Sequence, residues 1–261
     1  GRQRRLNSVG ESVLQIAPSA AAAYSLRSLT GGDPKVVRVR RSSDDAEQDF
    51  TASGVSSGAL VDFVGSGNDG FVDTWYDQSG NNKNALQATS TKQPKIVNSG
   101  SFLNELDFDG SNDTFSIDFG ADLSQPSSIF MVHQSDTDTG TSNEFFDSAS
   151  GINPRTLFDQ SGTKYRIFTT GASAKTEVSV TTDKALIFAL FNGTSSLFAL
   201  NGTATDALNA GTSDINQNSV IGSSGARFYD GSMQEVLIYN SDQSSNRVAL
   251  ETNINSHYSI F

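Results

Sequence analysis

The chain has no cysteine among its 261 residues. That excludes disulfide staples, thiolate metal sites, redox pairs and a cysteine nucleophile. Histidine is nearly as scarce: His133 and His257 are the only two, and they stand too far apart in sequence to suggest a zinc site. No apolar run approaches the roughly 18 residues of a membrane-crossing helix, so no membrane insertion is expected. Phosphate-cradling glycine loops of the P-loop or dinucleotide type are missing as well. The first residue is Gly1 rather than Met, from which processing or a partial record is expected.

What is present is aromatic and glycine-rich, with 17 Phe and 23 Gly, at a length that all-β sandwiches reach as one unit. The net charge of -11 is unevenly placed. Residues 1–41 carry eight basic side chains (Arg2, Arg4, Arg5, Arg27, Lys35, Arg38, Arg40, Arg41) against Glu11 and Asp33. That segment is therefore +6, which leaves −17 for residues 42–261. A basic arm on an acidic body is one reading. Arginines of a strand paired with local carboxylates are the other. The acidic body would repel phosphates, so no specific nucleic-acid partner is expected.

Residues 1–17 lack periodicity and read as an arm or linker. Pro18-Ser19 and the alanines of residues 20–29 predict a short helix, ended by Gly31-Gly32-Asp33-Pro34. From there the punctuation is that of a β protein, with strand-like runs separated by turn signals every 8–15 residues or so. Leu103–Phe108 and Thr114–Phe119 flank Asp109-Gly110 and suggest a hairpin. Ala185–Phe191 (ALIFALF) is apolar throughout and suits a strand buried on both faces. Leu250, Ile254 and Tyr258, at i, i+4 and i+8, mark a C-terminal helix. The expectation is an all-β protein of two parts: an arm over residues 1–17 and a sandwich over residues 18–261.

Several stretches carry a resemblance. They are Ala23-Tyr24-Ser25-Leu26-Arg27 with the Val37–Asp45 run, Thr74-Trp75-Tyr76-Asp77-Gln78-Ser79-Gly80-Asn81-Asn82, Leu106-Asp107-Phe108-Asp109-Gly110-Ser111-Asn112-Asp113, and Asp230-Gly231-Ser232-Met233-Gln234-Glu235-Val236-Leu237-Ile238-Tyr239. The last two resemble laminin-G-like, concanavalin A-like jelly-roll β-sandwiches. The first two resemble the catalytic domain of the α-L-arabinofuranosidase B family and, more closely, lectin-like modules of tailed-bacteriophage structural proteins. Together they span roughly residues 20–258. The arabinofuranosidase family's sugar pocket uses cysteines, for which this chain has no counterpart.

Three constellations hold candidate chemistry. Glu105, Asp107 and Asp109 alternate with Leu106 and Phe108, so a strand would place all three carboxyls on one face. A glycosidase needs two such groups, and the pattern is similar to the Glu-x-Asp-x-Glu strand of laminarinase-type glucanases. Asp107, Asp109, Asn112 and Asp113 are also candidate oxygen ligands for Ca2+, the one cofactor the residues suggest. Trp75, Tyr76, Asp77, Asn81 and Asn82 combine aromatic faces with amide and carboxylate groups, as a sugar site would.

The resemblance implies a non-enzymatic virion structural or decoration protein. Its arm (Arg2, Arg4, Arg5) would anchor it to other virion proteins, in many copies, at the virion surface. The sandwich would present loops to cell-surface glycans. The alternative is a secreted glycoside hydrolase, arabinofuranosidase- or laminarinase-like.

Overall fold

A computed structural model describes residues 10–139, 143–148, 156–169 and 174–261. The first strands are β1 (Ala22–Ser25), β2 (Lys35–Arg41), β3 (Glu47–Thr51), β4 (Gly70–Trp75), β5 (Ala85–Leu86), β6 (Lys95–Asn98) and β7 (Ser101–Asp109). Then come β8 (Phe115–Asp118), β9 (Ser127–Ser135), β10 (Asn143–Ser148), β11 (Thr156–Ser161), β12 (Lys164–Thr169) and β13 (Ala174–Ser179). The rest are β14 (Ala185–Phe191), β15 (Leu197–Leu200), β16 (Thr203–Ala204), β17 (Asn218–Ile221), β18 (Ser223–Ser224), β19 (Arg227–Phe228) and β20 (Asp230–Tyr239). Short helices α1 (Val13–Ile16), α2 (Ala52–Ser56) and α3 (Ala59–Val64) precede β4, and α4 (Arg247–Tyr258) closes the chain.

Antiparallel pairing arranges the strands in two layers, so the expected all-β sandwich is what the chain forms. One layer runs β6-β7-β20-β9-β14-β15-β16, with β1 beside β7 on the same edge of β20. The other runs β3-β2-β4-β5-β8-β17-β10-β11-β12-β13. Pairing of β4 with β6 joins them along one side. Side chains from both layers interdigitate between them: Phe108 meets Phe115 at 6.0 Å, and Tyr165 meets Phe198 at 5.1 Å.

A second apolar cluster lies on the far side of the first layer. There Phe130, Leu186, Phe188, Leu190 and Tyr239 are covered by Val13, Leu250 and Ile254 of α1 and α4. This is why β14 is apolar at every position: one face looks into the sandwich and the other lies under helices. The predicted C-terminal helix is α4. The arm expected over residues 1–17 is docked from Val13 onward, since Val13 and Ala17 are buried. Arg2, Arg4 and Arg5 lie outside the described residues.

Two local expectations are overturned. The alanine-rich segment forms β1 rather than a helix. Its pairing with Val236–Ile238 and the complete burial of Ala22, Ala23 and Tyr24 outweigh a helix propensity of a few tenths of a kcal/mol per residue. The Asp109-Gly110 turn does not make a hairpin either, because β7 pairs with β6 and β20 while β8 pairs with β5 and β17. The chain crosses from one layer to the other there.

The basic β2 strand is neutralised locally. Arg38 and Lys35 bond Asp49 at 2.9 and 2.8 Å, Arg40 bonds Asp45 at 2.7 Å, and Arg41 bonds Asp44 at 2.6 Å. Most of the +6 in the first 41 residues that lies in described structure is thus paired, Arg27 with Glu235 included.

Candidate functional site

The Tyr-Asp-Gln-Ser-Gly-Asn element is a structural knot. Asp77 accepts the backbone N–H groups of Ala23, Ser79 and Lys83 at 2.9, 2.8 and 3.0 Å. Gln78 accepts from Leu29 N–H and donates to the carbonyls of Ser25 and Arg27. Asn81 donates to the Ala20 carbonyl at 2.8 Å, and Asn82 sits in the left-handed turn at φ 56°. Trp75 is wholly buried against Tyr24 and Phe115, so its ring has no face to offer a sugar. Tyr76 donates its hydroxyl to Asp49, which with burial pushes the phenol up to about 12. These five residues therefore do not assemble the expected sugar platform. They tie β1 and the loop after it to the end of β4.

On β7 the expected alternation is seen: Leu106 and Phe108 are buried, while Glu105, Asp107 and Asp109 face away from the core. Each carboxyl has a different environment. Glu105 accepts from Gln234 Nε2 at 2.7 Å. Burial, Asp136 and Glu105 push Asp107 above the usual carboxylate range. Asp109 is exposed and accepts the N–H groups of Ser111 and Asn112, the ordinary work of a turn aspartate. Asp113 accepts from Asp109 N–H, and burial with the Asp109 charge raises it to about 7. Asp107, Asp109 and Asp113 line a cavity of about 270 Å3 with Lys95 and Gln93. Among the described residues no group of His, Cys, Asp and Glu is arranged to hold a metal ion. Asp107, Asp109, Asn112 and Asp113 thus form a turn beside a shallow acidic wall, in which Asp109 and Asp113 are already engaged by backbone N–H groups.

Among the described residues, a group of buried titratable side chains lies on the second layer, around β10–β12. A β-bulge between Glu144 and Phe146 interrupts the pairing of β10 with β11. Phe145, the unpaired residue of the bulge, and Phe146 both turn into the sandwich: Phe145 meets His133 at 4.7 Å and Tyr229 at 5.1 Å, and Phe146 joins the same core. Glu144 and Asp147 are thereby aimed to the opposite face, the kind of re-aiming a bulge performs. Asp159 of β11 stands directly across from Glu144, and Arg166 of β12 directly across from Asp159.

Glu144, Asp147 and Asp159 are all completely buried. Arg166 grips both oxygens of Asp159, with Nε 2.7 Å from Oδ1 and Nη2 on Oδ2. Its guanidinium also lies 4.6 Å over the Phe168 ring. Arg227, half-exposed at the β18–β19 hairpin, reaches Glu144 Oε1 at 3.4 Å, while Ser224 donates to Asp147 Oδ2 at 2.5 Å. Glu144 Oε2 is buried with no hydrogen-bond partner among the described residues.

Burial, and then the negative charge of Asp159, raises Glu144 to about 8, against the opposing pull of Arg227. Asp159 is also raised by burial, and Arg166 pulls it back toward the ionised form. The pair therefore holds a proton at neutral pH, with Glu144 its natural seat because only Asp159 has a bidentate cation. A carboxylic acid beside a clamped carboxylate is the chemical equipment of acid-assisted glycoside cleavage. His133 takes no part: sandwiched between the Tyr165 and Tyr229 hydroxyls in the core, it is held neutral by burial, at about 3.

The sequence signal for this site was slight. Asn143–Ser148 breaks two-residue alternation at the bulge and so does not read as a strand. Asp159 was visible only as part of Phe158-Asp159-Gln160-Ser161-Gly162, which echoes Tyr76–Gly80.

No protein-family model matches the chain, and no curated protein matches it in sequence. Solved structures do. An arabinofuranosidase complexed with arabinofuranosyl-α-1,2-xylobiose superposes with a TM-score of 0.64 at 13% identity, over 90% of this chain and 62% of that one. A GH54 α-L-arabinofuranosidase mutant soaked with 4-nitrophenyl α-L-arabinofuranoside gives 0.63 at 12% identity, with the same coverage. Trypanosoma rangeli sialidase gives 0.52 at 13% identity, over 72% of this chain and 31% of its own. The chain thus spans 62% of the length of the two arabinofuranosidases. The expectation of a non-enzymatic protein is corrected by these neighbours, which are glycoside hydrolases and not virion proteins. At such identities the likeness establishes the architecture alone: this chain has the β-sandwich fold on which those hydrolases are built.

Proposed function

We propose that the chain is a glycoside hydrolase domain acting on arabinofuranosyl-bearing saccharides, with Glu144 as the acid and Asp159 as its charged partner. The observation that carries the reading is the buried pair itself: Glu144, raised to about 8, faces Asp159, which Arg166 clamps. The fold shared with arabinofuranosidases over 90% of the chain supports the substrate class.

In the reaction, Glu144 gives its proton to the glycosidic oxygen as the C–O bond breaks, the electron pair of that bond stays with the departing oxygen, and a water then bonds to the anomeric carbon and returns a proton to Glu144. Asp159 stabilises the positive charge that develops on the anomeric carbon. Because both Asp159 oxygens are engaged by Arg166, its role is electrostatic rather than covalent. Arg227, half-exposed beside Glu144, is the solvent-facing member of the group, and the β18–β19 segment that carries it would have to yield for a saccharide to reach the buried pair.

The test is release of 4-nitrophenol from 4-nitrophenyl α-L-arabinofuranoside, and of arabinose from an arabinoxylo-oligosaccharide. Glu144→Gln is expected to lower kcat by roughly 100-fold or more, and Asp159→Asn similarly. Glu105→Gln is expected to leave kcat unchanged, since β7 lies on the other layer. A folded chain that releases nothing, or activity that survives Glu144→Gln, overturns the proposal.

A further inference from the structure

Glu144, Asp147 and Asp159 point away from the sandwich interior, yet all three are buried. The β18–β19 hairpin lies over the first two, and both of its strands pack on β10. Among the described strands this hairpin joins neither layer. β18 and β19 pair with each other, Ser223 with Phe228 and Ser224 with Arg227.

The neck of the hairpin is anchored in backbone and core, its tip through side chains. Gly222 N–H donates to the Phe145 carbonyl at 2.9 Å, and Tyr229 N–H to the Gly222 carbonyl at 2.8 Å. Gly222 takes φ +85° against the Phe108 ring, and Tyr229 is buried in the core. Beyond the neck Gly225, Ala226 and Arg227 are exposed. The Ser223 and Thr114 hydroxyls share a hydrogen bond of 2.8 Å, Ser224 donates to Asp147 at 2.5 Å, and Arg227 reaches Glu144 at 3.4 Å. A two-residue ladder held down by side chains on a rigid neck opens at low cost compared with the sheets beneath it.

Opening is coupled to a proton. Glu144 is faced by Asp147 on its own strand, Asp159 on β11, Arg166 on β12 and Arg227 on β19. Burial acts most strongly on it and, with Asp159, keeps its carboxyl protonated up to about 8, while Arg227 pulls the other way. Lifting the hairpin admits water to the carboxyl and takes Arg227 away. Because burial outweighs Arg227, the open form gives up the proton more readily than the closed form. A proton held more tightly in the closed form stabilises that form. Rising pH therefore favours opening until it reaches about 8, where both forms are ionised and the effect ends.

We propose that the β18–β19 hairpin is a proton-linked lid over Glu144 and Asp159, shut while Glu144 holds a proton and loosened as that proton leaves. Its role in catalysis rests on the reading of Glu144 as the acid: closure over a bound saccharide excludes water and returns the acid to its protonated form.

The test is amide hydrogen exchange on the whole chain, from about pH 5.5 to about pH 9, corrected for the intrinsic rate at each pH. Exchange at Ser224–Phe228 is expected to quicken about tenfold or more between about pH 6 and pH 8, under a one-proton ceiling of about 100-fold, and to level off above that. It should also run at least about tenfold faster than at Val236–Ile238 of β20, which open only with the whole domain. Glu144→Gln, neutral at every pH, should give a flat profile. Arg227→Met removes the group that draws Glu144 toward ionisation and should carry the step above pH 8; it keeps the test open if Glu144→Gln does not fold. A flat wild-type profile, the same step in Glu144→Gln, a step unmoved in Arg227→Met, or hairpin exchange as slow as that of β20 would each overturn the lid. A flat profile in a chain whose hydrolysis depends on Glu144 refutes the lid and spares the reaction. The pH-linked step in a chain that hydrolyses nothing upholds the lid and refutes the reaction.

Discussion

Glu144→Gln has a consequence for stability as well as for activity. The folded chain holds the Glu144 carboxyl at about 8 where 4.5 is usual, because the group is buried beside Asp159. Between those two values the folded protein keeps a proton that the unfolded chain has released. The contribution of this group is therefore fully present below about pH 4.5 and is lost as pH rises through 8. The slope is about 1.4 kcal/mol per pH unit for one such proton. Accumulated across the window, the loss has a ceiling of roughly 4 kcal/mol, lowered in practice by the solvent that reaches Arg227 and by sharing of the proton with Asp159.

Glutamine reproduces the protonated acid in size and charge, so the variant should lack this slope. Near pH 5 the two proteins should agree within about 1 kcal/mol, and near pH 8 the variant should be the more stable by about 2–4 kcal/mol. The wild-type curve is composite, since Asp113, raised to about 7, titrates with the same sign. The difference between the curves isolates Glu144. Urea unfolding at several pH values measures it through the midpoint, provided that the m-value is common to both proteins. In thermal melts each kcal/mol is worth about 2–4 °C for a domain of this size. Parallel pH profiles, or a variant destabilised equally at all pH values, would refute the assignment of a protonated buried acid. That result would remove the proton donor on which the proposed reaction depends.

Two further outcomes follow from packing. Arg27→Met leaves Glu235, 1% exposed, without its bidentate cation, and should cost about 3–5 kcal/mol in urea unfolding at neutral pH; a loss below about 1 kcal/mol would mean that Tyr258 and Ser25 suffice to hold the carboxylate. Gly222→Ala should lower stability by roughly 2–4 kcal/mol, because φ is +85° and a Cβ would stand 2.5 Å from the Phe108 ring; an unchanged melting temperature would show that the β17–β18 corner yields.

What the sequence made legible was whatever local pattern encodes. Period-two alternation placed Glu105, Asp107 and Asp109 on one face, uniform apolarity identified β14, and i, i+4 spacing identified α4. The helix predicted from the alanines failed because their partners, Val236–Ile238, lie two hundred residues away along the chain. The active-site candidates were invisible for a related reason. Glu144, Asp159 and Arg166 become neighbours only through the register of β10, β11 and β12, and the bulge at Glu144 hides the strand that begins it. Conversely, the most distinctive motif, Tyr76–Asn81, proved distinctive because Asp77 and Gln78 each satisfy several backbone groups of distant segments, a demand few other residues meet. A motif of that kind constrains architecture and leaves chemistry free. This is how a chain can share the β-sandwich architecture of arabinofuranosidases at 13% identity. The buried carboxyls Glu144 and Asp159 stand on strands whose local sequence says little, and their charge is set by burial, which raises both, against the opposing pull of Arg227 and Arg166.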